Sequence, residues 1–447
     1  MSSTTATSGQ SSPATTTGER ILRIQGGRIL NGDVPISGAK NAALKALAAS
    51  LLTSDEVVLR NVPMIADVLS MADLLRAFGA EVEIDKARDK VVIRAEHISR
   101  TDAPPSLFKA TRASVVVTGP MLARVGEISF AMPGGDQIGK RPIDMHLRGF
   151  QRMGTEIVNE PGGIQAKVDV LRGARIYMDY PSHTGTEAIM MAATLATGST
   201  VIVNASMEPE IVWLGSMLNR MGARITGLGT PIMTIEGVDR LHGVSDFVIP
   251  DRLEAATYAI AAVMTGGEVT LTGVREANVL PITEKLLEAG ADVWHRDGKM
   301  LVRGGGRLKA VDIQTLPFPG FPTDSQSTFV PLLTQAHGVA VVHERVYEDR
   351  LRYTDELVRM GADIRIKRFT DEGSEFLATS AEIHGPTKLH GARVQSLDIR
   401  SAVSVVLAGL VAEGETEVTD VYHIDRGYAR MVEKFRNLGA DMEDTIG

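Results

Sequence analysis

A few short segments concentrate the residue types that could bind an anion and move protons around it. Pro133-Gly134-Gly135-Asp136-Gln137-Ile138-Gly139-Lys140-Arg141-Pro142 sets one acid and two cations among glycines. The spacing approaches a phosphate-binding P-loop, but Arg141 stands where a Ser or Thr would hold magnesium. Pro142 also keeps its predecessor out of helical angles. The better reading is a mobile lid that swings Asp136, Lys140 and Arg141 onto an anion; a plain surface loop is the alternative. Ile36-Ser37-Gly38-Ala39-Lys40-Asn41-Ala42-Ala43-Leu44 places Lys40 and Asn41 at the mouth of an apolar helix. Helix N-termini and ammonium groups both attract anions, whereas a snorkelling lysine would have no partner to find. Arginines open further segments at Arg112, Arg350, Arg400 and Arg426. Asp349, Asp398 and Asp425 lie within two positions of the last three, so local salt bridges compete with ligand binding as their purpose. Asp324, in Phe321-Pro322-Thr323-Asp324, reads as part of a proline-punctuated loop, either a base or a turn cap.

Other chemistries lack their residues. The chain contains no cysteine, which removes disulfides, thiolate metal sites and a cysteine nucleophile. Its ten histidines include no HExxH or His-x-His pattern that would suggest zinc. No strand-flanked GxGxxG supports a dinucleotide cofactor, and no nucleophile elbow appears. With aromatics at 4% and a net charge of −8, neither stacking along single strands nor a basic stripe for nucleic acid is available.

The elements that must position these residues repeat. A Gly-Ala pair or close relative ends an amphipathic stretch at Gly79, Gly154, Gly222, Gly290, Gly361 and Gly439, at intervals of 68 to 78 residues. Each copy opens with a β-branched run such as Val201-Ile202-Val203 and continues into a helix. In the last copy Tyr428, Met431, Val432, Phe435 and Leu438 share one helix face. The glycine suits a left-handed C-cap, and a further strand region follows. A second helix type, seen in Ala42–Leu52, Ile189–Ala196, Ala255–Met264 and Ser401–Ala412, is apolar nearly all round and belongs inside a core. Six such α/β units in 447 residues predict three units in each of two globules rather than one ring. Pro250-Asp251 reads only as the start of the fourth unit. No apolar run is long enough to span a bilayer, and the Ser/Thr-rich stretch 1–20 reads as a disordered tail rather than a signal peptide. A cytoplasmic protein is expected.

Taken together, Ser37-Gly38-Ala39-Lys40-Asn41, Thr111-Arg112-Ala113-Ser114, the loop ending Arg141-Pro142-Ile143-Asp144, Phe321-Pro322-Thr323-Asp324 and Tyr422-His423-Ile424-Asp425-Arg426-Gly427-Tyr428 resemble the UDP-N-acetylglucosamine enolpyruvyl transferase (1-carboxyvinyltransferase) family. The likeness runs from about Ile21 to the C-terminus. It implies a two-domain inside-out α/β barrel, with 21–40 and 251–447 as the catalytic domain and 41–250 as the second. It implies transfer of the enolpyruvyl group of phosphoenolpyruvate to the sugar 3′-hydroxyl of UDP-N-acetylglucosamine, the first committed step of peptidoglycan synthesis. Neither a metal nor an organic cofactor is implied, nor a nucleic-acid or membrane partner.

By the same resemblance Lys40, Arg141, Arg350 and Arg426 match anion-binding positions, with Arg112 and Arg400 also in the cleft. Asp324 matches the base, Asp136 the acid on the loop and Asp398 a further active-site carboxylate. Asn41, Pro142, Ile143, Asp144, Ser182, His183 and Val346 match positions near the nucleotide sugar or phosphoenolpyruvate. Most members carry cysteine where this chain has Asp136. A carboxylic acid gives up its proton several pH units below a thiol, so activity is expected to fall more steeply toward alkaline pH. Insensitivity to fosfomycin, which alkylates that cysteine in the family, is also expected. Tyr180 and His183 depart from the Lys and Val of some relatives. The alternatives are the sister transferase acting on shikimate 3-phosphate, separated by its Gly-Ser-Lys-Ser in place of Ser37-Gly38-Ala39-Lys40-Asn41-Ala42-Ala43, and a non-catalytic paralogue that binds the nucleotide sugar.

Overall fold

The computed structural model describes residues 20–446 apart from Gln137, Lys140 and 370–377. The expected tail, except Arg20, and Lys140 of the predicted lid lie outside the described residues. Five four-stranded sheets and one three-stranded sheet are formed among the described residues. Each unit is more finely divided than the two strand regions expected. In the third, Arg175–Tyr177 runs parallel to Ser199–Val203, which pairs with the hairpin of Arg224–Thr226 and Ile232–Glu236. The buried helix His183–Ala193 connects the first two strands, and Pro209–Arg220 leads from the second into the hairpin. All six repeat glycines have φ between 95° and 107°, the left-handed region that ends a helix at little cost for glycine alone.

Chain termini complete sheets begun elsewhere. Arg20–Gln25 lies between Glu415–Thr419 and Asp441–Ile446, antiparallel to both. Asn31–Pro35 runs parallel to Glu268–Thr272, so the first strands of the chain belong to the second half. Val244–Phe247 returns to pair with Val57–Arg60 and closes the first half. Two apolar cores result. One gathers Ala39 to Ile249, and the other gathers Leu22 to Ile36 with Ala255 to Met442. Among the described residues Ala429 is the second-half residue that enters the first core.

Helices fill the centre of each half and sheets cover them. In the second half Arg252–Thr265, Thr323–Gln335 and Ser401–Val411 pack on one another. Ser401–Val411 buries every side chain but its last, as its small aliphatic composition requires. Thr323–Gln335 was not legible as such a helix: Ser325, Gln326, Ser327 and Thr328 are all buried. Helical geometry satisfies some of their polar atoms at home, since Thr328 Oγ1 donates to the Ser325 carbonyl at 2.9 Å. Tyr353 Oη also donates to Gln326 Oε1 at 2.7 Å. Asp324 therefore occupies the first turn of a core helix, not a loop, and makes no capping bond.

Two crossing segments join the halves. The amide of Ala39 donates to Ile249 O at 2.7 Å and that of Asp251 to Ser37 O at 2.8 Å. A Cβ on Gly38 would stand 1.7 Å from the Asn61 carbonyl oxygen, so only glycine fits at this crossing. The arrangement places the starts of helices Lys40–Ala49 and Arg252–Thr265 side by side at the seam.

Candidate active site

Two clusters of carboxylates and cations meet where the halves face each other. The first is assembled from four segments. Lys40, the first residue of its helix, places Nζ 2.8 Å from Oδ2 of Asp67. Arg426, on the short helix Tyr422–Gly427 of the second half, donates through Nε to Oδ1 of Asp67 at 2.7 Å. Its Nη1 reaches Asp136 Oδ1 on the Gly-rich loop at 3.0 Å. Burial pushes the Asp67 carboxyl up, but Lys40 and Arg426 outweigh it and hold it below the usual carboxylate range. Burial likewise lowers the Lys40 ammonium, with Asp67 as the main opposing charge.

The second cluster lies in the second half. Arg350, fully enclosed, donates through Nη2 to Asp324 Oδ1 at 2.8 Å and lies 3.7 Å from Asp398. Arg400 stands 3.7 Å from the other Asp324 oxygen, 4.0 Å from Asp251, and over the ring of Tyr428. Asp398 accepts the amides of Arg400 and Ser401 and so caps helix Ser401–Val411. Burial opposes ionisation of Asp324, yet Arg350, Arg400, Arg141 and Lys40 together bring it down to about 2. Asp251 is more than the start of a unit. It caps helix Arg252–Thr265 through the amides of Leu253 and Glu254, and it accepts the Lys40 amide at 3.3 Å, tying the clusters together.

Arg112 and Arg141 complete the cationic lining without any ion pair among the described residues. Arg141 rests against the Tyr347 ring at 5.5 Å. Burial and then the charge of Arg141 bring Arg112 down to about 10. Two cations held together against their repulsion favour a multiply charged anion between them. The loop is anchored on the opposite half, since Ile138 O accepts the Asp349 amide at 3.2 Å.

Other predicted residues sit at the margins of this lining. Asn41 is the half-buried second residue of its helix. Pro142 is exposed and Ile143 buried. Asp144 lies on an exposed helix start, paired with Arg148 at 2.9 Å. Ser182 caps helix His183–Ala193 by accepting the Gly185 amide. His183 stands 3.2 Å from Glu187, which is fully buried and also faces Lys45 at 3.4 Å. Val346 donates its amide to Glu344, a buried carboxylate that also takes the hydroxyls of Thr315 and Thr323.

Asp67, Asp251, Glu187 and Tyr347 were not anticipated. A signal for Asp67 existed: Asp67, Met71, Leu74 and Phe78 form the buried stripe of one helix, and a charge on such a stripe requires partners. The neighbouring acids misled in the opposite sense. Arg426 ignores Asp425, which pairs with Arg20, and Arg350 passes over Asp349 for Asp324 and Asp398.

The architecture defines the class first. The enolpyruvyl transferase NikO from Streptomyces tendae superposes with a TM-score of 0.84 at 24% identity, covering 96% of this chain and all of that one. An EPSP synthase from Acinetobacter baumannii gives 0.73 at 19% identity, over 95% of this chain and all of its own. This is the two-domain α/β fold of enolpyruvyl transferases. The family model for EPSP synthase (3-phosphoshikimate 1-carboxyvinyltransferase) matches residues 24–435. UDP-N-acetylglucosamine 1-carboxyvinyltransferase of Magnetococcus marinus is 47% identical over 95% of this chain and 99% of its own length. UDP-N-acetylglucosamine 1-carboxyvinyltransferase 1 of Caldanaerobacter subterraneus is also 47% identical, over 92% and 96%. The chain belongs to the EPSP synthase family and, within it, to the UDP-N-acetylglucosamine 1-carboxyvinyltransferases. Among the described residues no helix is long and apolar enough to cross a membrane.

Proposed function

We propose that this chain transfers the enolpyruvyl group of phosphoenolpyruvate to the 3′-hydroxyl of UDP-N-acetylglucosamine and releases phosphate. The observation that carries this reading is the convergence on one cleft of Asp136 from the first half and Asp324 from the second, each held by an arginine, with Lys40 acting electrostatically on both. Addition of the hydroxyl oxygen to C2 of phosphoenolpyruvate needs a base for the hydroxyl proton and an acid for C3. Asp324 takes the first role and Asp136 the second. The C3 proton is then lost as the C2–O bond to phosphate breaks, which restores the double bond. Lys40, Arg112, Arg141, Arg350, Arg400 and Arg426 receive the phosphate and carboxylate charges in a cleft poor in water. A carboxylate at about 2 is a weak base, but an arriving anion neutralises the cations that depress it and so raises its basicity.

In this reading residues 21–40 with 251–447 form the catalytic domain and 41–250 the second, a division supported by the two separate cores. Asn41, Pro142, Ile143, Asp144, Ser182, His183, Val346 and Asp398 position the substrates around these groups. Wall synthesis, cell shape and division depend on the product, and the aspartate loop makes the enzyme insensitive to fosfomycin. The test is phosphate release from phosphoenolpyruvate with UDP-N-acetylglucosamine, with shikimate 3-phosphate, and with neither, in the native protein and Asp136→Ala. Release that requires the nucleotide sugar and collapses in the variant is expected. Release with shikimate 3-phosphate alone would overturn the acceptor, and binding of the nucleotide sugar without release would make the chain a non-catalytic binder.

A further inference from the structure

The first-half carboxylate Asp67 belongs to no group of residues expected to touch substrate, yet it is heavily bonded within the cleft. Its two oxygens receive Lys40 Nζ at 2.8 Å, Arg426 Nε at 2.7 Å, Arg426 Nη2 at 3.4 Å and the Thr111 hydroxyl at 3.3 Å. Four donors use up what an ionised carboxylate offers. Asp67 is therefore not free to exchange a proton or hold a ligand. Its partners come from three separate segments: the seam lysine, the arginine of the second half, and the loop before Arg112. The nitrogen of Arg426 that Asp67 leaves open is the one that meets Asp136.

We propose that Asp67 is a positioning residue, a clamp that completes itself only when the halves meet and that fixes Lys40 and Arg426 in the orientation the reaction uses. The proposal rests on the reading of this cleft as the site of enolpyruvyl transfer. Contact geometry carries it. Helix Tyr422–Gly427 packs on helix Ala66–Ala77, and Ala429 just beyond it enters the first-half core. Arg426 is thus brought to Asp67 by the docking of one half on the other. The clamp also protects charge. Lys40 is buried beside Arg400, and the carboxylates that face it are Asp67, Asp136 and Asp324, with Asp251 on its backbone amide. Among the described residues Asp67 alone pairs with its ammonium. Burial already disfavours the protonated amine, so removing that partner lets the proton leave at lower pH, and a neutral amine holds phosphate poorly.

The experiment measures kcat and KM for phosphoenolpyruvate across pH 6–10 in the native protein, Asp67→Asn and Asp67→Glu, with thermal unfolding of each. Asp67→Asn is expected to raise KM about tenfold or more. It is also expected to move the alkaline limb of phosphoenolpyruvate affinity, read from KM apart from the Asp136-governed decline in kcat, down by about one pH unit. Asp67→Glu keeps the charge but not the reach, so it raises KM while returning the limb toward its native position. Loss of thermal stability in Asp67→Asn with KM and limb unchanged would make Asp67 a structural acid and overturn the clamp. If Asp67→Asn does not fold, Asp67→Glu decides alone: native KM overturns the proposal, and raised KM with a native limb supports it. An inactive native protein would instead defeat the transferase reading, so the two failures are distinguishable.

Discussion

The two charged clusters of the cleft are built in opposite ways. Asp324, Arg350, Asp398 and Arg400 all belong to the second half, and the helices that carry or abut them pack together in one core. Lys40, Asp67, Asp136 and Arg426 come from a seam, a first-half helix, a loop and a second-half helix. One cluster lies within the second half, and the other is completed across the two halves. On the proposed roles of Asp324 and Asp136 the difference divides the labour, with the base held inside one half and the acid held by an arginine of the other.

The largest effect tests the cluster confined to the second half. Asp324→Asn is expected to lower kcat by roughly 10²–10⁴-fold. Arg350 keeps Asp398 and the first cluster is untouched, so the nucleotide sugar should still bind within roughly threefold of native affinity. Steady-state kinetics beside calorimetric titration would check both. A loss of binding equal to the loss of turnover would mean that Asp324 also braces the closed cleft, and the contrast between the clusters would fail.

How far this contrast could be read in the sequence depends on the range of the interactions. The repeat was legible because a left-handed glycine at the end of a helix and a β-branched run are local requirements. The all-buried helices were legible where they are aliphatic, as in Ser401–Val411, and not where serines and threonines are buried in their place, as in Thr323–Gln335, whose Thr328 and Thr334 bond to their own backbone. Arginine partners were not legible at all, since Asp67 and Arg426 are joined across 359 residues and Asp425, beside Arg426, pairs with Arg20. Lys40, Asp324, Asp136 and the arginines stood out by residue type and spacing and took their roles from family likeness, while Asp67 needed the fold.

A smaller effect sharpens the assembled cluster. Asp136→Cys replaces a carboxylate that pairs with Arg426 by a thiol, which in general keeps its proton several pH units higher. Activity in the native protein should decline from mildly acidic to alkaline pH, and in Asp136→Cys it should hold to higher pH, with kcat at neutral pH changed by about tenfold or less. Intact-mass spectrometry after exposure to fosfomycin should show one adduct on the variant and none on the native protein. An adduct on the native chain, or superimposable pH profiles, would remove Asp136 from the acid role.

The smallest effect separates stability from both clusters. Within the first half, His183 faces Glu187, and the charges of Lys45, Glu208 and Glu210 also bear on it. Burial works against its protonation, but Glu187 prevails over burial and Lys45, and its pKa is raised above the ordinary value of 6.5. A group raised on folding lends stability that is complete below its unfolded pKa and vanishes as pH climbs through the folded one. The depressed carboxylates Asp67, Asp324, Asp398 and Glu210 lose theirs only in acid. His146, brought down to about 3 by burial, gains stability as pH rises through its unfolded pKa and works against His183 between pH 5.5 and 8.5. The His183 contribution is thus the difference between the native protein and His183→Val. From pH 5.5 to pH 8.5 the melting temperature of the native protein should therefore shift on the order of 1 °C further downward than that of His183→Val. If His183→Val instead loses affinity for the nucleotide sugar at acid pH with no change in melting, the imidazolium serves the ligand rather than Glu187, and the first half contributes a charge to the cleft that closure does not have to assemble.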